Sequence, residues 1–345
     1  MTGPTVLMFA EDPGALAFLR GIEAALRDEG FDIAAIPATS GGAEALIDHV
    51  KPAAVLVGTS ENLDSFAFEL TRSARARHIP TFGAVDSAAN AAFRFRGRSA
   101  ATFAHAPAAL LVPDDASRAA FVALGFPAGG ITVTGHPRLA EVARLRESMS
   151  AEDRIAARVH FAGAGERPVI VFVSELSTGL GDDPFRKTPA YTLGGTSGSE
   201  ARTDIVAEEL LHAARALPGD PWLVLRLHPK QDADDVAELA GRFDQVSRGG
   251  PGLDAVRGAD LVTGMTSALL AEAAVFGRPV LSIVPDPAER AWLGDMAGRI
   301  ACVSTRRELG AALAHWPAPL PPQPCGGDPA ARMAAAIRAE IERAP

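Results

Sequence analysis

The sequence predicts an α/β protein of two Rossmann-like, doubly wound parallel-sheet domains in tandem, facing a central cleft. Three observations predict it. The chain has 345 residues, more than one core ordinarily organises and about right for two domains of common size. Short unbroken apolar runs alternate with helical patterns, as strands covered on both faces by crossover helices do. The alternation stops once, at Gly135-His136-Pro137, and restarts at Pro168.

The elements follow in order. Val6–Ala10 is an apolar run closed by Glu11-Asp12-Pro13-Gly14, and a helical pattern continues to Arg27. Phe31–Pro37 reads as a strand, Ala43–Val50 as a helix and Ala53–Gly58 as a strand. Asn62–Arg77 has helical spacing of Leu63, Phe66 and Leu70. Pro80–Val85, Ala108–Val112 and Ile131–Thr134 complete the first sheet, with a helix over Asp115–Leu124. Helical segments then occupy Arg138–Met149 and Ala151–Phe161. The second sheet takes Pro168–Val173, Pro221–Leu227, Ala259–Thr263, Val280–Val284 and Ile300–Val303. Its helices are Thr203–Leu217, Asp232–Phe243, Ser267–Phe276 and Arg306–His315. A Pro-rich link, Pro317–Pro324, precedes a last helix from Pro329 to about Arg343. The expected boundaries are therefore 1–136, a linker over 137–165, 166–328, and a C-terminal helix over 329–345 packing back toward the first domain.

Composition narrows the function. Apolar residues make up 48% of the chain, enough for two cores. A net charge of −9 argues against a nucleic-acid binder, which carries a basic face. Cys302 and Cys325 fit no zinc spacing, so no metal is expected, and a reducing compartment is the simpler reading. The first residues lack a basic leader, and no apolar run reaches the roughly 18–20 residues of a membrane span. The expectation is a cytoplasmic protein; peripheral membrane association and oligomeric state stay open.

Ser174–Glu200 is a long Gly-, Ser- and Thr-rich segment that follows a strand end, where doubly wound sheets bind ligands. Ser174 and Glu175 open it. Gly179 and Gly181 permit close backbone approach to a phosphate. Asp182-Asp183 supplies too few oxygens for magnesium and reads as a solvated pair. Thr266-Ser267 falls where a strand gives way to a helix, so Ser267 can cap it while the neighbouring amides meet an anion. Glu272 lies on the same helix. His228 ends a strand before Pro229, where an imidazole can donate to a phosphate or a leaving group, and Lys230 adds a positive charge. Glu11 is a candidate base; Asp12, followed by Pro13, reads first as a helix cap. Gly135 and His136 suit a hinge rather than chemistry.

Three stretches carry a resemblance. Ile131-Thr-Val-Thr-Gly-His-Pro-Arg-Leu139 is similar to the segment that ends the N-terminal domain of many GT-B enzymes. Leu225-Arg-Leu-His-Pro-Lys230 resembles the His-Pro element of capsule and glycerophosphate transferases and sialyltransferases. Ala259–Val280, with Gly264, Thr266, Ser267 and Glu272, resembles the C-terminal signature of those groups and of UDP-GlcNAc 2-epimerases. The resemblance implies a GT-B glycosyltransferase of surface glycan or polysaccharide synthesis. It implies a nucleotide-sugar co-substrate on the second domain, no tightly bound cofactor, and a glycan or lipid-linked acceptor on the first. His228 with Glu11 or Asp12 would do the chemistry. Ser174, Glu175, His228, Lys230, Gly264, Thr266, Ser267 and Glu272 would hold the donor. The alternatives are a nucleotide-sugar 2-epimerase, which needs acids on both sides of the sugar ring and ordinarily a basic turn after the first strand, and a non-catalytic scaffold. Glu11-Asp12-Pro13 departs from that basic turn.

Overall fold

The computed structural model describes residues 3–35, 42–176, 186–231, 234–322 and 327–343. The chain divides into two compact units: Met1–Glu141 together with Cys325–Pro345, and Val142–Pro324. Each is built on six strands, all parallel, flanked by helices.

Unit 1 holds β1 (Thr5–Phe9), β2 (Asp32–Ala35), β3 (Ala54–Gly58), β4 (Thr81–Ala84), β5 (Ala109–Val112) and β6 (Ile131–Val133), in the order β2-β1-β3-β4-β5-β6. Alternation along each strand feeds two cores. Val6, Met8, Leu56 and Phe82 meet Phe18, Ile22 and Leu26 on one face. Leu7, Phe9, Val55 and Val57 meet Ile47, Ala67 and Leu70 on the other. The helix Pro329–Arg343 joins the first face through Met333, Ala334 and Ile337, all fully buried. Arg332 Nε donates to the Thr134 carbonyl at 2.8 Å and Arg338 pairs with Glu29 at 2.6 Å, fixing that helix to its unit.

Unit 2 holds β7 (Val169–Val173), β8 (Trp222–Arg226), β9 (Gln245–Ser247), β10 (Leu261–Gly264), β11 (Val280–Ile283) and β12 (Ala301–Val303), ordered β12-β11-β10-β7-β8-β9. Counted from its own first strand, this is the 3-2-1-4-5-6 order of dinucleotide-binding sheets, whose direction reverses between β7 and β10. In unit 1 the reversal falls between β1 and β3. Both reversals leave a crevice at the carboxyl ends of the paired strands, and those ends carry the candidate side chains.

Several elements differ from expectation. β9 is a three-residue polar edge strand, too short to show a period. The helix expected over Asp232–Phe243 is reduced to a turn at Asp234–Val236 and one at Ala237–Ala240, stopped at Gly241. The first helix breaks into Pro13–Arg20 and Glu23–Asp28 around Gly21, where a Cβ would come within 2.8 Å of Pro137. Among the described residues, no helix is long and apolar enough to cross a membrane.

Candidate functional site

In unit 2 the ends of β7 and β10 are joined by a buried ionic network. Arg202, first residue of the helix Arg202–Ala214, is fully buried. Its guanidinium donates to Glu289 at 2.9 and 2.6 Å and to Glu175 at 2.8 Å, and its plane lies over Trp292 with 5.4 Å to the ring centroid. A buried guanidinium is tolerable only when paired and hydrogen-bonded, and both conditions hold. The two carboxylates keep Arg202 charged, raising its pKa against the opposing cost of burial. Burial pushes the Glu289 carboxyl up. It also drives the Tyr191 phenol up to about 12.

Glu175 is the hub. Its carboxylate accepts from the Thr266 amide at 2.6 Å, from the Thr266 hydroxyl at 3.1 Å and from Arg202. Its carbonyl accepts from the Thr203 hydroxyl at 2.6 Å and from Gln231 Nε2 at 3.4 Å. Ser267 caps the helix Ala268–Phe276 by accepting from the Leu269 amide. The Thr266-Ser267 turn is thus an anion-accepting helix start, and in this structure the anion on Thr266 is the protein's own carboxylate. Before Glu175 in sequence, Ser174 is 1% exposed, and its hydroxyl oxygen is buried with no hydrogen-bond partner among the described residues.

His228 follows β8. Its amide donates to Gln231 Oε1 at 2.8 Å, and its Nδ1 accepts from the Lys230 amide at 3.1 Å. A neutral imidazole that accepts at Nδ1 carries its proton on Nε2, so the ring is set as a donor. Gln231 bonds both His228 and Glu175, tying the ends of β7 and β8 together. The structure therefore brings Ser174, Glu175, Thr266, Ser267 and His228 onto neighbouring strand ends. Lys230 is exposed, and Glu272 is half-buried five residues beyond Ser267. Gly264 has a packing reason of its own: a Cβ there would lie 3.0 Å from the Val173 carbonyl of β7. Gly179, Gly181 and Asp182-Asp183 lie outside the described residues.

In unit 1 the ends of β1, β3 and β4 gather carboxylates around one arginine. Arg94, 5% exposed, donates to Asp86 at 2.8 Å, the Thr59 hydroxyl at 2.5 Å, the Ser87 hydroxyl at 2.9 Å and the Ala89 carbonyl at 2.8 Å. Glu61 lies 3.8 Å away. Burial pushes the Glu61 carboxyl up, the Arg94 charge offsets part of that, and the neighbouring Asp86 and Asp12 charges add to the rise. Asp86 presses so close to the helix Pro13–Arg20 that a Cβ on Gly14 would meet its carboxylate at 2.8 Å. Asp12 holds the N-cap position of that helix without a side-chain cap bond, and Glu11 Oε1 is buried without a hydrogen-bond partner among the described residues. His136 stacks edge-on against Phe18 at 4.8 Å, and its Nδ1 accepts from the Leu139 amide at 3.4 Å. Burial lowers its pKa to about 4, so the ring is neutral at physiological pH. Glu61, Asp86, Arg94, Arg202 and Glu289 are absent from the sequence-based candidates. Glu61 and Asp86 had a usable signal, since they follow predicted strands by three residues and by one. The arginines had none: they reach the sites from a loop and a helix start.

No family model matches the chain, and no curated protein sequence does. Solved structures match along its length. The Staphylococcus aureus MnaA–UDP co-structure has a TM-score of 0.64 at 13% identity, covering 98% of this chain and 97% of that one. Methanocaldococcus jannaschii UDP-GlcNAc 2-epimerase, in complex with UDP-GlcNAc and UDP, gives 0.63 at 13%, covering 97% and 99%. Anabaena Alr3699/HepE, in complex with UDP and glucose, gives 0.59 at 13%, covering 99% and 95%. The chain shares their fold. The paired Rossmann-like domains expected from the sequence are present.

Proposed function

We propose that this protein is an enzyme acting on a nucleoside-diphosphate sugar, and that C2 epimerisation suits its side chains better than glycosyl transfer. The observation that carries this reading is the acid set at the ends of β1, β3 and β4. Transfer to a hydroxyl asks for one base. Inverting a carbon asks for one group to remove its proton and another to return a proton to the opposite face. Glu61, held toward its protonated form, is matched to the acid role, and Glu11 or Asp12 to the base. The strand-one turn contains no basic residue, but Arg94 brings a guanidinium to the same sheet edge, beside Asp86. Unit 2, taken by itself, offers groups suited to a nucleotide diphosphate: the Thr266-Ser267 helix start and the Ser174 hydroxyl, with His228 Nε2–H as a further donor. The fold shared with UDP-GlcNAc 2-epimerases supports the substrate class.

The test is incubation with UDP-GlcNAc in D₂O without any acceptor, followed by NMR. Epimerisation yields the C2 epimer, with deuterium at C2 of product and recovered substrate. UDP release that depends on an added hydroxyl acceptor, with C2 protium retained, would establish transfer and overturn the epimerase reading.

A further inference from the structure

We infer that Glu175 is a resident competitor for the nucleotide's phosphate, holding the Thr266 donors and leaving them when a nucleotide diphosphate binds. This rests on the reading of unit 2 as a nucleotide-binding unit. Four observations lead to it. The amide and hydroxyl of Thr266, the residue before the Ser267 N-cap of a nine-residue helix, are both taken by the Glu175 carboxylate, at 2.6 and 3.1 Å. An anion-accepting helix end already holding an anion cannot take a phosphate on the same donors without exchange.

The local charge is out of balance in the direction that weakens such binding. Arg202 contributes one positive charge, and Glu175 and Glu289 contribute two carboxylates against it. The exchange is also structurally feasible. Arg202 holds Glu289 through two hydrogen bonds of 2.9 and 2.6 Å, so it keeps a buried partner when Glu175 withdraws. Finally, the hydroxyl of Ser174, the residue before Glu175, is buried with no hydrogen-bond partner among the described residues. Buried hydroxyls ordinarily find one, and a phosphate oxygen arriving at Thr266 supplies an acceptor. Glu175 thereby sets specificity: only a ligand with enough charge to displace a carboxylate, a diphosphate rather than a neutral sugar, opens the seat.

The experiment is calorimetric titration of the full chain with UDP, comparing wild type with Glu175→Gln. The glutamine keeps the shape and an acceptor for Thr266 but removes the competing charge. Its UDP affinity should rise about tenfold or more at one-to-one stoichiometry, with uridine affinity unchanged. Binding only by the variant would equally support the competitor role. Equal or weaker UDP binding by a variant that melts like wild type would overturn it, while leaving nucleotide binding intact. Absence of UDP binding by both proteins would overturn the nucleotide reading and this inference together. Should Glu175→Gln not fold, the wild-type protein answers alone through the Thr266 amide resonance. Saturating UDP should shift it strongly, and an unmoved resonance at saturation would refute displacement.

Discussion

At the scale of single residues, the chemistry resides in groups whose environment, not identity, distinguishes them. His136 shows this. The sequence favours a hinge role for it beside Gly135, and the structure adds a half-buried, neutral imidazole packed on Phe18 and near Asp86. Its pKa falls from 6.5 to about 4 on folding. Between those values the unfolded chain binds a proton that the folded protein refuses. Stability therefore falls as pH drops from about 6.5 to about 4 and levels off below, with a loss of at most about 3 kcal/mol from this ring. Glu61, with its raised pKa, acts in the opposite sense, so the two must be separated by substitution. His136→Asn keeps an acceptor for the Leu139 amide and abolishes the titration. Denaturant melts across pH 4–7 should show a flatter profile for the variant; parallel profiles would remove His136 as the cause. The places of His228, Thr266 and Ser267, just beyond strand ends and at a helix start, were legible in the sequence. Arg94 and Arg202 were not, since a buried arginine far along the chain has no local pattern to mark it.

At the scale of elements, the segment that read as ligand territory gains a structural half. Its stretch 186–200 is pinned by two buried glutamates of the helix Arg202–Ala214. Glu208 accepts from the Thr196 amide at 2.6 Å and the Ser197 amide at 2.9 Å; Glu209 accepts from the Gly195 amide at 2.9 Å and pairs with Arg306 at 2.7 Å. Both are nearly inaccessible. A Gly-Thr-Ser run looks mobile in sequence because its acceptors lie 11–15 residues downstream, on helix positions that read as ordinary surface acids. Glu208→Leu removes the acceptors and releases the amides of Thr196 and Ser197, two exposed residues, to water. Hydrogen exchange at Thr196 and Ser197 should accelerate while the interior of the Arg202–Ala214 helix stays protected. Unchanged exchange in that loop would show that packing of Leu193 and Tyr191, not Glu208, holds it.

At the scale of the whole molecule, the periodic apolar runs specified eleven of the strands within a few residues, because strands buried on both faces must be almost wholly apolar. What periodicity could not reach was β9, a three-residue edge strand, and the acid cluster of unit 1, which depends on strand order rather than on any one segment. The helix Pro329–Arg343 belongs to unit 1, and it fills the face formed by Val6, Leu26 and Phe31 with Met333 and Ile337. Burying these two side chains contributes about 2 kcal/mol each, a large share of the 5–15 kcal/mol that typically separates folded from unfolded states. A chain ended at Pro322 should therefore lose exchange protection in β1 and β2, some 300 residues upstream, while β7 and β10 keep theirs. Undiminished protection in β1 would mean that the helix covers the first unit without stabilising it. Equal losses in β1 and β7 would mean that its contribution is not confined to unit 1.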